Sequence, residues 1–310
     1  MKRVPRGPHV RRWVGVIAAL AALVAPLAYV GFTPGALVLS VARHLSVLFA
    51  LVGVLAVVHR EWRTALLVAL ACVGLWLPWW IASVPTVEVA APTSPCRRLF
   101  VGNVFERNVE PTDAIRASLD AARADVTLLI EPRPDLVAEL ARTATVILHH
   151  DAEAKFDLAA LVVDRTFVRA SRLHTFEGTG SVVGEVELAC EVPVSVFFVH
   201  IPAPTVPHQQ RARWHMKDAL AAIVRAREHV VVAGDFNATP PSPVLRDLAA
   251  GAELVRVTSG ATWPVRSGPV GVPIDHVFVR GVDVRVERHS VAGSDHAGYI
   301  VEVSPRRRGP

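Results

Sequence analysis

Three apolar runs near the amino terminus constrain this chain more than any other feature. Trp13–Val30 (WVGVIAALAALVAPLAYV) carries no charge over 18 residues. Ala36–Val58 is a second run and Ala65–Ile81 (ALLVALACVGLWLPWWI) a third. Each approaches the roughly 20 apolar residues that an α-helix needs to cross a bilayer. The expectation is a membrane region over residues 1–83, with about three transmembrane helices near 13–30, 36–58 and 65–81. A cleaved signal peptide is the alternative for the first run, disfavoured by two more runs close behind it. Trp76, Trp79 and Trp80 fit an interfacial aromatic belt. Arg43 and His44 fall inside the second run, so that helix is expected to begin near Leu45, or Arg43 to snorkel toward the interface.

Composition agrees with this division. The 310 residues are 52% hydrophobic and 20% charged, too apolar for an ordinary soluble protein. The net charge of +5 is uneven: residues 1–91 hold +6 and the remainder −1. The globular part therefore lacks the Lys/Arg surplus that advertises a nucleic-acid-binding face. The basic tail before Trp13 and the connection His59–Arg63 are expected in the cytoplasm by the positive-inside rule, while Gly31–Gly35 carries no charge. Three spans would then put everything after about Ala82 outside the cell membrane; an even number would reverse this. Cys96 and Cys190 would lie in an oxidising compartment, which leaves both a disulfide and two free thiols open.

Residues 84–97 (from Val84, VPTVEVAAPTSP) read as an extended linker, 98–304 as a globular domain, and 305–310 as a solvated basic tail. Strand-like runs are Arg98–Phe105, Val126–Ile130, Val146–His149, Leu158–Val163, Val182–Leu188, Val194–Val199, Val230–Ala233, Ile274–Val279, Val282–Arg288 and Gly298–Val303. Helical spacing covers Thr112–Arg123, with Thr112 as cap, then Pro134–Arg142 and Val206–Arg227, while Ser242 caps a short helix with Pro243 first. This is a sheet-rich mixed α/β pattern. Two sheets packed face to face with helices outside fit it best.

The strand ends carry the chemistry. Asn103 lies in FVGNVF, Glu131 ends VTLLIE, His200 ends VSVFFVH, Asp235 and Asn237 follow VVVAG, and Asp275-His276 interrupts VPIDHVFV. Asp295 and His296 precede the last strand. Acids, amides and imidazoles at six strand ends point to one convergent polar site. Carboxylates and amides with few thiols suit a hard cation such as Mg²⁺ (or Mn²⁺) and metal-assisted phosphoryl chemistry. No HExxH, P-loop or GxSxG motif is present. His149-His150-Asp151 reads as a solvated loop, Trp263 as core, and His276 as facing away from Asp275 because strand neighbours alternate.

GDFN at 234–237, the strand-end Glu131, Ile274-Asp275-His276 and GSDH at Gly293–His296 resemble the endonuclease/exonuclease/phosphatase superfamily. Asn103, the HIPAP stretch from His200 and Thr262-Trp263-Pro264 resemble its looser motifs, in the same order. The resemblance spans about Arg98 to Val303 and implies a four-layered α/β sandwich, two mixed sheets flanked by helices. It implies divalent-metal-dependent hydrolysis of a phosphate ester. Glu131 would bind the ion with help from Asn103, and Asp295 would be a further ligand. Asp235 would orient or deprotonate water, and Asn237 would bond a phosphate oxygen. His296 would stand at the scissile phosphate, oriented by Asp275 and partnered by His200. In an extended segment residues i and i+2 point the same way, so Asp235 and Asn237 are expected to reach one phosphate. The expectation is a membrane-anchored phosphodiesterase or phosphatase acting on a lipid head group, a small phosphodiester or nucleic acid, with the bilayer as neighbour and no protein partner implied. An extracellular nuclease and a non-catalytic binding protein are the alternatives.

Overall fold

The computed structural model describes residues 9–25, 27, 33–150, 157–176, 179 and 181–306. Residues 28–30 of the first expected span, Asp151, and the tail after Arg306 lie outside the described residues.

The apolar runs form helices α1 (His9–Val24), α2 (Thr33–Ser40), α3 (Ala42–Val58) and α4 (Trp62–Ile81). Among the described residues α4 alone is long and apolar enough to cross a membrane by itself. The second run is not one straight helix: α2 and α3 meet at 69° around Val41 and reach spanning length only as a pair. The bend also corrects the expected start, since α3 begins at Ala42 and Arg43 stands in its first turn. Small residues let these helices approach. A Cβ on Gly74 of α4 would lie 3.0 Å from the Ala22 Cβ of α1, and one on Gly53 of α3 would lie 3.2 Å from Val68 of α4. Ala22 and Gly74 lie late in their helices, so α1 and α4 run parallel and α3 runs against them.

After α4 the chain does not hang free. Val84 donates its N–H to Pro240, Val87 to Arg256, and Ala90 accepts from Val284. The expected linker is extended but docked on both sheets.

The first sheet has strand order β11-β12-β1-β2-β4-β3. Its strands are β1 (Arg97–Asn103), β2 (Val126–Ile130), β3 (Thr145–His150), β4 (Leu158–Val162), β11 (Val282–Ser290) and β12 (Ala297–Pro305). The second has order β5-β6-β7-β8-β10-β9. It contains β5 (Val168–Phe176), β6 (Ser181–Leu188), β7 (Val194–His200), β8 (Val230–Asp235), β9 (Val255–Arg256) and β10 (Asp275–Arg280). Pairs β1–β2 and β7–β8 are parallel and the other pairs antiparallel, so both sheets are mixed.

Residues such as Leu128, Phe198, Val231, Val277 and Val301 fill the space between the sheets. Helices α5 (Thr112–Ala121) and α6 (Pro134–Leu140) set Ile115, Leu119 and Leu136 on Phe100 and Leu129. Helices α7 (Pro207–Arg225) and α8 (Pro243–Gly251) set Met216, Leu220 and Leu248 on Phe197, Val232 and Phe278. The inner strands are thus covered on both faces, which is why they read as unbroken apolar runs. Burial of each large side chain contributes roughly 1.5–3 kcal/mol. Cys96, just before β1, is bonded to Cys190, just after β6.

Three local expectations change. β5 went unread because it is a half-exposed edge strand carrying Arg169, Arg172 and His174. His149 and His150 end β3 instead of forming a loop. Thr112 does not cap α5; its hydroxyl donates to Asp135, and Pro111 precedes the helix.

Candidate active site

Six segments deliver polar side chains to one rim of the paired sheets. β1 ends on Asn103, Glu131 directly follows β2, β7 ends on His200, β8 ends on Asp235, and β10 begins with Asp275. His296 precedes β12. Strand register explains the convergence. Parallel pairing sets His200 beside Asp235, and antiparallel pairing sets Asp235 beside Asp275. Asn103, from the other sheet, donates its amide to Asp235 (Nδ2–Oδ2 3.2 Å) and so joins the two layers.

His296 is held by Asp275 through Nδ1 at 3.0 and 3.2 Å. Its Nε2 lies 3.8 Å from Asp235 and 3.9 Å from Asp295. His200 Nε2 lies 3.3 Å from Glu131 and 3.9 Å from Asp235. His276 faces the opposite side, as alternation requires, and its Nε2–H donates to the Ala238 carbonyl. Asp295 turns to the rim, where it accepts the Trp263 indole N–H (2.8 Å). Trp263 is not core: 38% of it is exposed, and it lies against the His296 ring.

The Asp235–Asn237 pair differs from the expected extended arrangement. Asn237 is left-handed (φ 46°), and its backbone N–H donates to Asp235 Oδ1 at 2.8 Å. Its amide donates to the Ile201 carbonyl (3.0 Å) and contacts Asp235 Oδ2 (3.3 Å). The two side chains meet because the chain turns, as Asp and Asn readily allow. Gly234, one residue earlier, has φ 137°, and a Cβ there would sit 2.3 Å from the Val199 carbonyl oxygen.

Three residues brace the rim; Thr262 and Ser294 lie within the quoted motifs without a role assigned to them, and Arg213 lies outside every motif. Arg213 of α7 is buried and donates through Nη1 to the carbonyls of Pro202 (2.7 Å) and Asn237 (2.9 Å), tying two rim loops together. The Thr262 hydroxyl accepts the N–H groups of Ile274 and Asp275. Ser294 donates to the Asn103 carbonyl and accepts the His296 N–H. A buried Arg on an otherwise amphipathic helix was the one available signal, for Arg213.

The cleft above these residues holds about 780 Å³, and among its lining residues, which include Phe105, His208, Gln209 and Trp263, there is no Lys or Arg.

The profile of the Endonuclease/Exonuclease/phosphatase family matches residues 102–296. The chain belongs to this family. Solved structures share the fold. D. rerio TDP2 humanized by 14 mutations aligns with TM-score 0.52 at 16% identity, over 67% of this chain and 98% of that one. An endonuclease/exonuclease/phosphatase from Beutenbergia cavernae gives 0.53 at 18%, over 68% and 72%. The 3′ phosphatase NExo from Neisseria, bound to a product DNA hairpin, gives 0.51 at 15%, over 67% and 99%. At these identities the likeness carries the fold alone. No curated protein matches the sequence.

Endonuclease/exonuclease/phosphatase family members are hydrolases of phosphoester bonds and generally use divalent metal ions. The electrostatics of this rim fit that chemistry. Burial, then the charge of Asp235, push the Glu131 carboxyl up to about 7. Burial likewise raises Asp235, against the pull of His296. Burial works against a charged His296, yet Asp275 and Asp235 outweigh it and hold the imidazole up at about 10. His200 is lowered by burial. Atoms of Asp235, Asp275 and His296 come within 4.8 Å of one another. That trio is an ion network: an imidazolium has no lone pair to offer a metal. The hard oxygen donors outside that trio are the Glu131 carboxylate and the neutral carbonyl oxygen of the Asn103 carboxamide, a set suited to a divalent cation.

Proposed function

We propose that this chain is a membrane-anchored, divalent-metal-dependent phosphoesterase whose catalytic domain stands on the outer face of the cell membrane. The observation that carries the catalytic reading is the His296 imidazole, fixed by Asp275 and facing Asp235 beside Asn237 in one cleft. With His296 already protonated, the buried carboxylate of Asp235 is left to orient the attacking water and take its proton. The imidazolium faces the scissile phosphate and offsets the charge that grows on its oxygens. The Asn237 amide exchanges its 3.3 Å contact with Asp235 for a bond to a non-bridging oxygen, and neutral His200 supports the leaving-group side. Glu131 and Asn103, with Asp295 as a further ligand, would hold Mg²⁺ (or Mn²⁺), which would supply Lewis-acid polarisation of a phosphate oxygen.

The anchoring reading draws support from the helices. Large apolar side chains face outward along α1, α3 and α4, among them Leu20, Leu51, Leu55, Leu66 and Leu70, a belt far larger than a soluble surface carries. Arg60 and Arg63 lie at the end of the bundle away from the globular domain, which supports an outward domain by the positive-inside rule. Among the described residues no Lys or Arg lines the cleft, which disfavours a long polyanion. A phospholipid head group or small phosphodiester is the favoured substrate.

The test is turnover by the full chain in detergent with Mg²⁺, on single- and double-stranded DNA, phosphoinositides, sphingomyelin and bis(4-nitrophenyl) phosphate. Chelation should abolish turnover, and Asp235→Ala should lower it at least 10³-fold. Hydrolysis of DNA alone would make the protein a nuclease. No turnover of any substrate, or an Asp235→Ala variant as fast as wild type, refutes the catalytic reading. A reporter joined after Ser94 that is active only in the cytoplasm refutes the orientation.

A further inference from the structure

Between the helices and the globular domain lies a second cavity of about 470 Å³, sharing no lining residue with the catalytic cleft. Its helical wall includes Arg43, His44, Val47 and Leu51 of α3 with Trp76 and Trp79 of α4; the opposite wall is the loop 269–273. The Arg43 guanidinium rests 5.2 Å from the Trp79 ring and 5.9 Å from the Trp76 ring. Cation–π contact with two rings holds the guanidinium in place without using a hydrogen-bond acceptor on its N–H groups. Among the described residues no carboxylate pairs with Arg43. His44, beside it, is already engaged, its Nε2–H donating to the Val270 carbonyl.

Below Arg43 the cavity continues along apolar surface. Val47 and Leu51 stand at i+4 and i+8 from Arg43, hence on the same helix face, and are 59% and 61% exposed. A cation stacked on interfacial tryptophans above an exposed aliphatic stripe matches one class of ligand: a phosphate head with an acyl chain below it. The sign of the head group follows from charge. With one cation and no paired carboxylate, a net negative lipid is complementary, whereas a zwitterionic one would bring an ammonium group beside Arg43.

We propose that this cavity holds an anionic glycerophospholipid of the bilayer, its phosphate on Arg43 and an acyl chain along Val47 and Leu51. This rests on the membrane-anchoring reading above. The lipid is a bound companion, not the substrate. The strip that pairs Trp263 with Val272 (Trp263 N–H to Val272 O 3.0 Å) separates it from the catalytic imidazole. Trp263 faces the cleft, and Val272 faces the lipid cavity. The bound lipid therefore seats the catalytic domain at the membrane by joining α3 and α4 to the loop 269–273.

The test is native mass spectrometry of the full chain released from detergent doped with equal phosphatidylglycerol and phosphatidylcholine. Wild type should retain one phosphatidylglycerol with at least tenfold preference. Arg43→Gln should reduce the preference below twofold, Arg43→Lys should restore some of it, and Arg60→Gln, at the far end of the bundle, should leave it unchanged. Equal retention of both lipids by wild type, or wild-type preference in Arg43→Gln, overturns the proposal. Displacement of phosphatidylglycerol by millimolar inorganic phosphate also overturns it, because the ligand would then be the free anion. Flotation of the full chain with phosphatidylcholine vesicles separates the two readings. A chain that stays in solution refutes the anchoring and the lipid site together. A chain that floats without head-group preference refutes the lipid site alone.

Discussion

Replacing Asp275 by Asn removes the largest of the charges that keep the buried His296 imidazole protonated. Burial opposes that charge, and the carboxylates together raise the imidazole from 6.5 to about 10. At about 1.36 kcal/mol for each tenfold change in proton affinity, the net gain is about 5 kcal/mol. His296 side-chain exposure is only 8%, so solvent screening removes little of it. In Asp275→Asn burial remains, while Asp235 and Asp295 alone oppose it. The imidazole should titrate at least two pH units lower, a change of about 3 kcal/mol. The assay is imidazole nitrogen NMR of the ¹⁵N-histidine-labelled full chain from pH 5 to 9. Wild-type His296 should stay protonated throughout, and the variant should titrate inside the window. The sign of the stability effect follows. A raised folded value contributes fully below about 6.5 and is lost as pH rises toward about 10. The variant's deficit should therefore be full below its own titration point, at or below about pH 8, and fade between there and about pH 10. Hydrolysis at pH 7 should fall by roughly 10²–10⁴-fold. A variant His296 that titrates within half a pH unit of wild type refutes the account of how the imidazole is charged.

Two further outcomes concern the frame. Gly234→Ala places a Cβ 2.3 Å from the Val199 carbonyl oxygen at φ 137°, and should cost about 3 kcal/mol or more, read as a lowered thermal midpoint. The double variant Cys96→Ser/Cys190→Ser releases a crosslink spanning 94 residues. It should lose about 4–5 kcal/mol; reductant should destabilise wild type and leave the variant unmoved.

The residues that carry the chemistry were legible because they interrupt apolar strands. Glu131, His200 and Asp235 are conspicuous only against VTLLI, VSVFFV and VVVA, and strand pairing then brings them together. What stayed hidden depends on contacts between distant segments. Trp263 is apolar enough for a core, and only its bond to Asp295 shows that it faces the cleft. Ser294 and Thr262 act through backbone N–H and C=O partners that no residue pattern reveals. Asn237 is misjudged by strand geometry because its side chain answers to a left-handed turn. β5 escaped because an edge strand needs no apolar alternation on its open side. The bend at Val41 falls just before Arg43 and His44, which mark an interruption in the second run but give no sign of its 69° angle.

The Cys96–Cys190 bond sits where the chain, after its docked linker, enters its first strand. Any pull exerted through the amino-terminal helices arrives at Cys96 before it reaches β1. There the crosslink divides the load, passing a share of it to the hairpin of β6 and β7 in the other sheet. β1 lies between β12 and β2, and under such a pull it would otherwise unzip from them bond by bond. With both sheets coupled in this way, a pull on the amino-terminal helices would load the sandwich as a whole rather than β1 alone.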